Sequence, residues 1–415
     1  YEIFMRQFIF HKVIDHNCFA NQVIIATIGV LNWTVQDIKG IDIKTRKILI
    51  SDIDRLYLQR KDGGRGIKSV ESLFESRTLS IRQHLLRNKS RNAILTHISN
   101  KENNEIVRVG KKIVLKYEMV DNIEDAPKQM SKRYFVKQRK DLEKRYTEKV
   151  MHGYFKRKLE SNEIIDLNSS LSRSIDKKVT SHFEGHLSAI HDQEISTKFL
   201  INKQDKDSNI APRCNNKCRL CKVHVEDVNH IISSCSDMSA RYYLPLRHDA
   251  VGKAVYKAHV CKNNPGVRFK SQEEPEYIYR SNEFEYWWNL SISTITKVPH
   301  NKPDLIIWDN NLNICRIVEF SCPSDINIEQ KINEKMNNYA PLIRNMQIMY
   351  PKYKFVMVPI IVGALGYIPK SLKTNVKELG FNEVETRKLI RKLQNVSVIG
   401  TVKICKTFLK FYAGF

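Results

Sequence analysis

Two acidic side chains stand within segments that otherwise read as buried β-strands, and any fold of this chain has to accommodate them. Leu305-Ile306-Ile307-Trp308 and Ile314-Cys315-Arg316-Ile317-Val318 flank Asp309-Asn310-Asn311-Leu312-Asn313, and apolar runs around an Asn/Asp-rich turn predict a β-hairpin. Asp304 and Glu319 lie at its open end. A turn centred on Asn311-Leu312 sets them directly opposite one another, and a two-residue turn at Asn310-Asn311 makes them diagonal neighbours. Both registers put them on one face, about 5 to 8 Å apart; an odd-length loop puts them on opposite faces. Adjacent carboxylates repel unless a cation bridges them. A few hard oxygen donors suit Mg²⁺, which completes its shell with water and a substrate phosphate and assists phosphodiester hydrolysis. The competing reading is a pair of solvated strand-end carboxylates.

A helix is expected next, capped near Ser324 or Asp325, with Ile328, Ile332, Met336, Tyr339, Ile343 and Met346 marking its buried side. Lys331 and Lys335 stand four residues apart beside that stripe, and either is placed to extend toward the carboxylates. Phe355 to Val362 is a continuous apolar run, read as a central strand, and it ends in Gly363-Ala364-Leu365-Gly366. Hairpin, helix and strand together predict an α/β fold with a mixed sheet flanked by helices.

Upstream, Cys218-x2-Cys221-x8-His230-x4-Cys235 offers three thiolates and an imidazole, the donor set of tetrahedral Zn²⁺. Four protein ligands leave no open position, so such a metal is structural and folds a segment too small for its own core. Cys214 is a nearby competitor with less suitable spacing.

The rest of the chain is helix-prone and basic. Lys and Arg total 69 against 45 Asp and Glu, and the net charge of +24 attracts polyanions, of which nucleic acid is the commonest. Four regions are expected: a helical segment 1–92, a basic helical linker 93–213, the knuckle 214–240 and an α/β domain 241–415. Arg60, Lys61 and Arg65 surround Gly63-Gly64-x-Gly66, a tight turn whose arginines are placed to meet phosphate or solvent. Lys128 to Lys158 interleaves basic residues with Tyr134, Phe135, Tyr146, Tyr154 and Phe155, which fits either a nucleic-acid-binding helix or a solvated face over a narrow core stripe. The first residue is Tyr1, which reads as a start inside a longer frame, and no signal peptide is evident. Val23–Leu31 is too short to span a bilayer. With clustered cysteines, this places the chain in the nucleus and cytoplasm, away from membranes.

These residues resemble the C-terminal half of site-specific, LINE-type non-LTR retrotransposon polyproteins that carry a restriction-like endonuclease. Arg55-Leu56-Tyr57-x2-Arg60-Lys61-x-Gly63-Gly64-Arg65-Gly66 is similar to the segment after the polymerase, and Cys218-Arg219-Leu220-Cys221 with His230 and Cys235 to the family's knuckle. Tyr243-x3-Arg247-His248-Asp249 resembles its Arg-His-Asp signature, and Lys302-Pro303-Asp304, Glu319, Pro323 to Tyr339 and Pro359 to Gly366 resemble its nuclease motifs. The resemblance implies a PD-(D/E)xK fold in which Asp304 and Glu319 bind Mg²⁺. Ser321 stands where that motif has its lysine, so Lys331 or Lys335 inherits the role. It implies nicking of double-stranded target DNA to prime reverse transcription of the element's RNA, with Arg247 and His248 touching DNA or supporting the site. Thr294-Ile295 and Asn338 depart from the pattern, and no Asp-Asp pair of the polymerase type is present. The alternative expectation is a catalytically dead, zinc-containing nucleic-acid-binding module.

Overall fold

The computed structural model describes residues 34–47, 53–59, 62–100, 104–120, 125–170, 181–212, 214–241, 243–270 and 273–410. They divide into two compact units, one of residues 1–154 and 177–192 and the other of 155–176 and 193–415. Val23–Leu31 lies outside the described residues, as do Arg60 and Lys61.

The first unit is helical: α1 (Val35–Lys47), α2 (Ile53–Tyr57), α3 (Val70–Asn88), α4 (Ala93–Asn100), α5 (Glu105–Lys116) and α6 (Pro127–Glu148). Leu79 of α3, Ile113 and Val114 of α5, and Met130 and Tyr134 of α6 form its main core. The buried Glu75 accepts hydrogen bonds from the Tyr134 hydroxyl at 2.7 Å and from Lys116 Nζ at 3.0 Å. The glycine turn is as tight as expected: Gly63 and Gly66 have φ of 81° and 72°, and a Cβ on Gly64 would lie 2.1 Å from the Leu58 carbonyl oxygen.

The second unit contains α7 (Tyr154–Glu160, all but its first residue), α9 (Lys198–Asp207), the short helices His230–Ser234 and α10 (Ser236–Ala240), and α11 (Tyr243–Asn263); α8 (Ser181–His191) belongs to the first. A five-stranded sheet follows in the order β1 (Ile278–Arg280), β2 (Phe284–Trp288), β3 (Leu305–Asp309), β4 (Ile314–Ser321), β5 (Lys354–Ile361). The first four strands are antiparallel and β5 is parallel to β4, reached through α12 (Ile328–Met349). Helices α13 (Lys370–Glu378) and α14 (Glu383–Lys410) complete the unit. Leu305, Ile307, Val318 and Phe320 pack against Val251 and Val255 of α11 and Leu372 of α13, whereas Ile306, Trp308, Cys315 and Ile317 meet Leu342 and Met346 of α12. Both faces are covered, which is why β3 and β4 read as unbroken apolar runs.

Three expectations are corrected. β5 is an edge strand, not a central one; its apolar run reflects helices on both faces. Pro359, which lacks an N–H, fits an edge, and Asn375 Nδ2 donates to the Pro359 carbonyl at 2.7 Å. The locally acidic stretch Gln272 to Glu285, which leads into Tyr286-Trp287-Trp288 and by sequence suggests a turn, instead forms β1 and the start of β2. In α12, Leu342 and Asn345 are buried while Met336 is 43% exposed, so the stripe rotates part-way along the helix.

The Gly363-Ala364-Leu365-Gly366 turn has a local cause. The fully buried Asp325 carboxylate accepts the N–H groups of Leu365 at 2.8 Å and Tyr367 at 3.0 Å. It lies so close to Gly363 that a Cβ there would sit 1.9 Å from Asp325 Oδ1. Neither group has room to retreat, so Gly363→Ala is expected to cost about 1 to 3 kcal/mol or more by overpacking, measured by urea unfolding. A change below about 0.5 kcal/mol, the scatter of neutral surface substitutions, would show that the turn relaxes freely.

Candidate functional site

The β3–β4 ladder pairs Leu305 with Val318 and Asp309 with Ile314 around a four-residue turn at 310–313, the register centred on Asn311-Leu312. One step further out, Asp304 meets Glu319: the Asp304 amide donates to Glu319 Oε1 at 2.9 Å. The parity of Asp304 with Ile306, and of Glu319 with Ile317, places both on the α12 side of the sheet. Lys335, projecting from α12, places Nζ 2.6 Å from Glu319 Oε2 and 3.8 Å from Asp304 Oδ2. Lys331 does not join them; its ammonium pairs with Glu334 at 2.6 Å. One helical turn separates the two lysines, and only Lys335 reaches the open end of the hairpin.

Asp304 Oδ2 also accepts the Phe320 N–H at 2.8 Å and lies 3.2 Å from His248 Nε2. Among the described residues, Asp304 Oδ1 accepts no hydrogen bond. Burial, and then the Asp304 charge, push Glu319 up to about 7. Burial also works against ionised Asp304, but His248, Lys335 and the Phe320 amide outweigh it and hold Asp304 below the usual carboxylate range. Burial opposes charge on Lys335 too, yet Glu319 and Asp304 keep it above the ordinary lysine value. A buried carboxylate, reluctant to ionise, beside a half-buried one forms a donor set that a hard dication would relieve.

The Arg247-His248 pair is corrected in part. Arg247 is 3% exposed, donates to the Cys322 carbonyl and to Thr401 Oγ1, each at 2.7 Å, and so has no surface from which to touch nucleic acid. His248 is 30% exposed and directs Nε2 to Asp304, in keeping with a supporting place beside the carboxylates. Arg65 is half-buried and donates to Ser188 Oγ at 3.4 Å within the first unit. On α6 the arginines pair with carboxylates, and of the lysines only Lys144 does so, with Glu148 at 3.9 Å among the described residues. Arg133 pairs with Asp125, Arg139 with Asp62 at 2.9 Å, and Arg145 with Asp54 at 3.4 Å. Lys128, Lys132, Lys137 and Lys140 are exposed and pair with no carboxylate among the described residues. Met130, Tyr134, Leu142 and Tyr146 form the inward stripe, so Tyr134 and Tyr146 serve the core, whereas Phe135 is exposed.

The four knuckle ligands converge. Donor atoms of Cys218, Cys221, His230 and Cys235 all lie within 4.8 Å of one another, a cluster able to hold a metal ion such as zinc. Lys222, in the left-handed region at φ 60°, returns its N–H to the Cys218 carbonyl at 2.9 Å and closes the turn. Amides of Leu220 and Cys221 point at the Cys218 sulfur, those of Val223 and His224 at Cys221, and those of Asp237 and Met238 at Cys235. Burial pushes the Cys218 and Cys235 thiols up, and these N–H groups work against it in favour of thiolates, the form that binds metal. Cys214 is outside the cluster and faces Asn202 Oδ1 at 3.3 Å. The buried Glu226, which the sequence reading missed, fastens the knuckle: it takes the Arg219 guanidinium at 2.6 Å and the Lys198 amide of α9 at 2.8 Å. No helix among the described residues is long and apolar enough to cross a membrane. No protein-family model and no curated protein sequence matches the chain.

Zinc-loaded protein is expected to hold one equivalent of zinc by atomic emission. Cys221→Ser or Cys235→Ser should lower that content and the melting temperature together, while Cys214→Ser leaves both unchanged. Loss of zinc in Cys214→Ser, with retention in Cys235→Ser, would reassign the ligand set.

Proposed function

We propose that the second unit is a metal-dependent endonuclease of the restriction-like PD-(D/E)xK type, from the C-terminal part of a non-LTR retrotransposon polyprotein. Its substrate is double-stranded target DNA, nicked so that the freed 3′ end primes reverse transcription of the element's RNA. The observation that carries the reading is the meeting of Asp304, Glu319 and Lys335 from two strands and a helix, with the lysine within 4 Å of both carboxylates.

Asp304 and Glu319 would hold Mg²⁺, and the ion when bound supplies Lewis-acid stabilisation of charge developing on a phosphate. Lys335, held protonated by its carboxylate neighbours, adds a positive charge at the same place. It thus serves as the lysine that Ser321 cannot supply from the strand. The Cys218, Cys221, His230 and Cys235 cluster takes Zn²⁺ as a structural ion. Knuckle and basic linker hold nucleic acid, a reading supported by the net charge of +24 and by the unpaired lysines of α6. A catalytically dead binding module draws support from Ser321, Thr294-Ile295 and Asn338, where the chain departs from the family's pattern, and one assay separates the two readings.

With Mg²⁺, wild-type protein is expected to nick supercoiled plasmid. Asp304→Ala or Glu319→Ala should abolish nicking, and Lys335→Ala should slow it by about 10²-fold or more, the scale of losing one preorganised charge. Lys331→Ala should act like wild type, and salt-sensitive DNA binding should survive in all four. Undiminished nicking by Asp304→Ala would refute the site; binding without nicking in wild type would establish the dead module.

A further inference from the structure

We infer that His248 is a positioning residue: together with the Phe320 amide it fixes the Asp304 carboxylate so that Oδ1 is the oxygen offered to a divalent cation. The inference rests on the two-carboxylate reading above and extends it to a residue that touches no substrate.

The geometry accounts for all three residues of the Arg247-His248-Asp249 tripeptide. Arg247 anchors the first turns of α11, its guanidinium bonded to the chain just past β4 and to α14, and its stem against Gly400, where a Cβ would lie 2.6 Å from Arg247 Cγ. Gly252, one turn further along α11, lets the helix close onto the Phe320 and Trp288 rings; a Cβ there would come within 2.8 Å of each. With the helix pinned at both points, His248 has little freedom of approach. Its Nε2 lies 3.2 Å from Asp304 Oδ2 and 3.0 Å from the Phe320 carbonyl, and its Nδ1 lies 3.0 Å from Asp249 Oδ1. Both ring nitrogens therefore face acceptors of the chain itself, and neither is left for a DNA phosphate. Asp249 sets the ring, and the ring sets Asp304. Phe320 N–H and His248 occupy Oδ2 from two directions, which leaves Oδ1 as the partner-free oxygen. An outer partner that orients a ligating carboxylate in this way typically governs metal affinity 10- to 100-fold.

The test uses the full chain, zinc-loaded, with Mn²⁺ as the probe, titrated by electron paramagnetic resonance without DNA; Asp304→Ala serves as the blank. His248→Leu fills the ring's space but donates nothing, and is expected to weaken Mn²⁺ binding about 10-fold or more at an unchanged melting temperature. His248→Gln, which keeps an N–H donor, should restore most of the loss. Duplex affinity measured without Mg²⁺ should be the same in all three. A His248→Leu protein that binds Mn²⁺ like wild type, or loses duplex affinity instead, overturns the inference, as does a loss that His248→Gln fails to restore. Should the His248 variants not fold, Asp249→Asn takes their place: weakened Mn²⁺ binding supports the positioning chain, and unchanged binding overturns it. Equal Mn²⁺ binding by wild type and Asp304→Ala defeats the two-carboxylate reading itself, a distinct result.

Discussion

Two carboxylates facing one another across the β3–β4 pair set the terms for the rest of the second unit. At a separation of about 5 Å and an effective dielectric near 20, like charges repel by about 3 kcal/mol, and both groups lie among apolar strand residues. The repulsion is met by specific donors. Lys335 supplies a full charge to Glu319, the amides of Asp304 and Phe320 each donate to the opposite strand's carboxylate, and His248 closes on Asp304. Glu319, with no exposure to solvent, bears most of the cost, which is why its affinity for a proton is raised while that of Asp304 is lowered.

Those donors come from different elements, so the site is only as well defined as the packing between them. The chain from the end of β4 to the start of α12 is where the constraints gather. Cys322 offers its carbonyl to Arg247, Ser324 Oγ donates to Asn229 Oδ1 at 2.8 Å beside the ligand His230, and Asp325 binds the Gly363–Gly366 turn. The helix His230–Ser234 also packs on α14. A segment of a few residues thus joins the sheet, the Cys/His cluster and the last helix, and α12 starts from it. The cluster is part of the same compact unit as the sheet.

What the sequence made legible were interactions with a strong local rule. Two apolar runs around an Asn/Asp-rich turn announced the hairpin, and both of the registers they left open put Asp304 and Glu319 on one face. Cysteine spacing identified the cluster, and a tight glycine run announced its turn. What stayed hidden depends on partners far along the chain. The edge position of β5 was signalled by Pro359, but the buried run spoke louder. Arg247 and Met336 have the composition of one environment and the position of another, because the buried polar lining around Arg247 comes from Cys322 and Thr401 and no local pattern encodes it. Lys331 and Lys335 were indistinguishable by spacing, since a helix face is defined only once its partner is in place. Glu226 was missed because its partners, Arg219 and the N-terminus of α9, are ordinary in isolation.

Placing the cation on α12 and not on β4 changes what the site demands of the fold. A lysine two residues after a strand carboxylate keeps its relation to that carboxylate through the pleat alone, whatever surrounds the sheet. Lys335 has no such guarantee. Its distance to Glu319 depends on the phase and height of a 22-residue helix against the sheet, and rotation by a single residue would turn its side chain about 100° away. The helix is held in phase by Tyr339, whose hydroxyl donates to the Lys302 carbonyl at 3.1 Å just before Asp304, and by Leu342 and Met346 beneath Ile306 and Ile317. At its start the buried Asp325 fixes the height. The meeting of Lys335 with Glu319 and Asp304 is therefore secured by tertiary packing, and the residues that hold α12 matter to this cluster as much as the groups that line it.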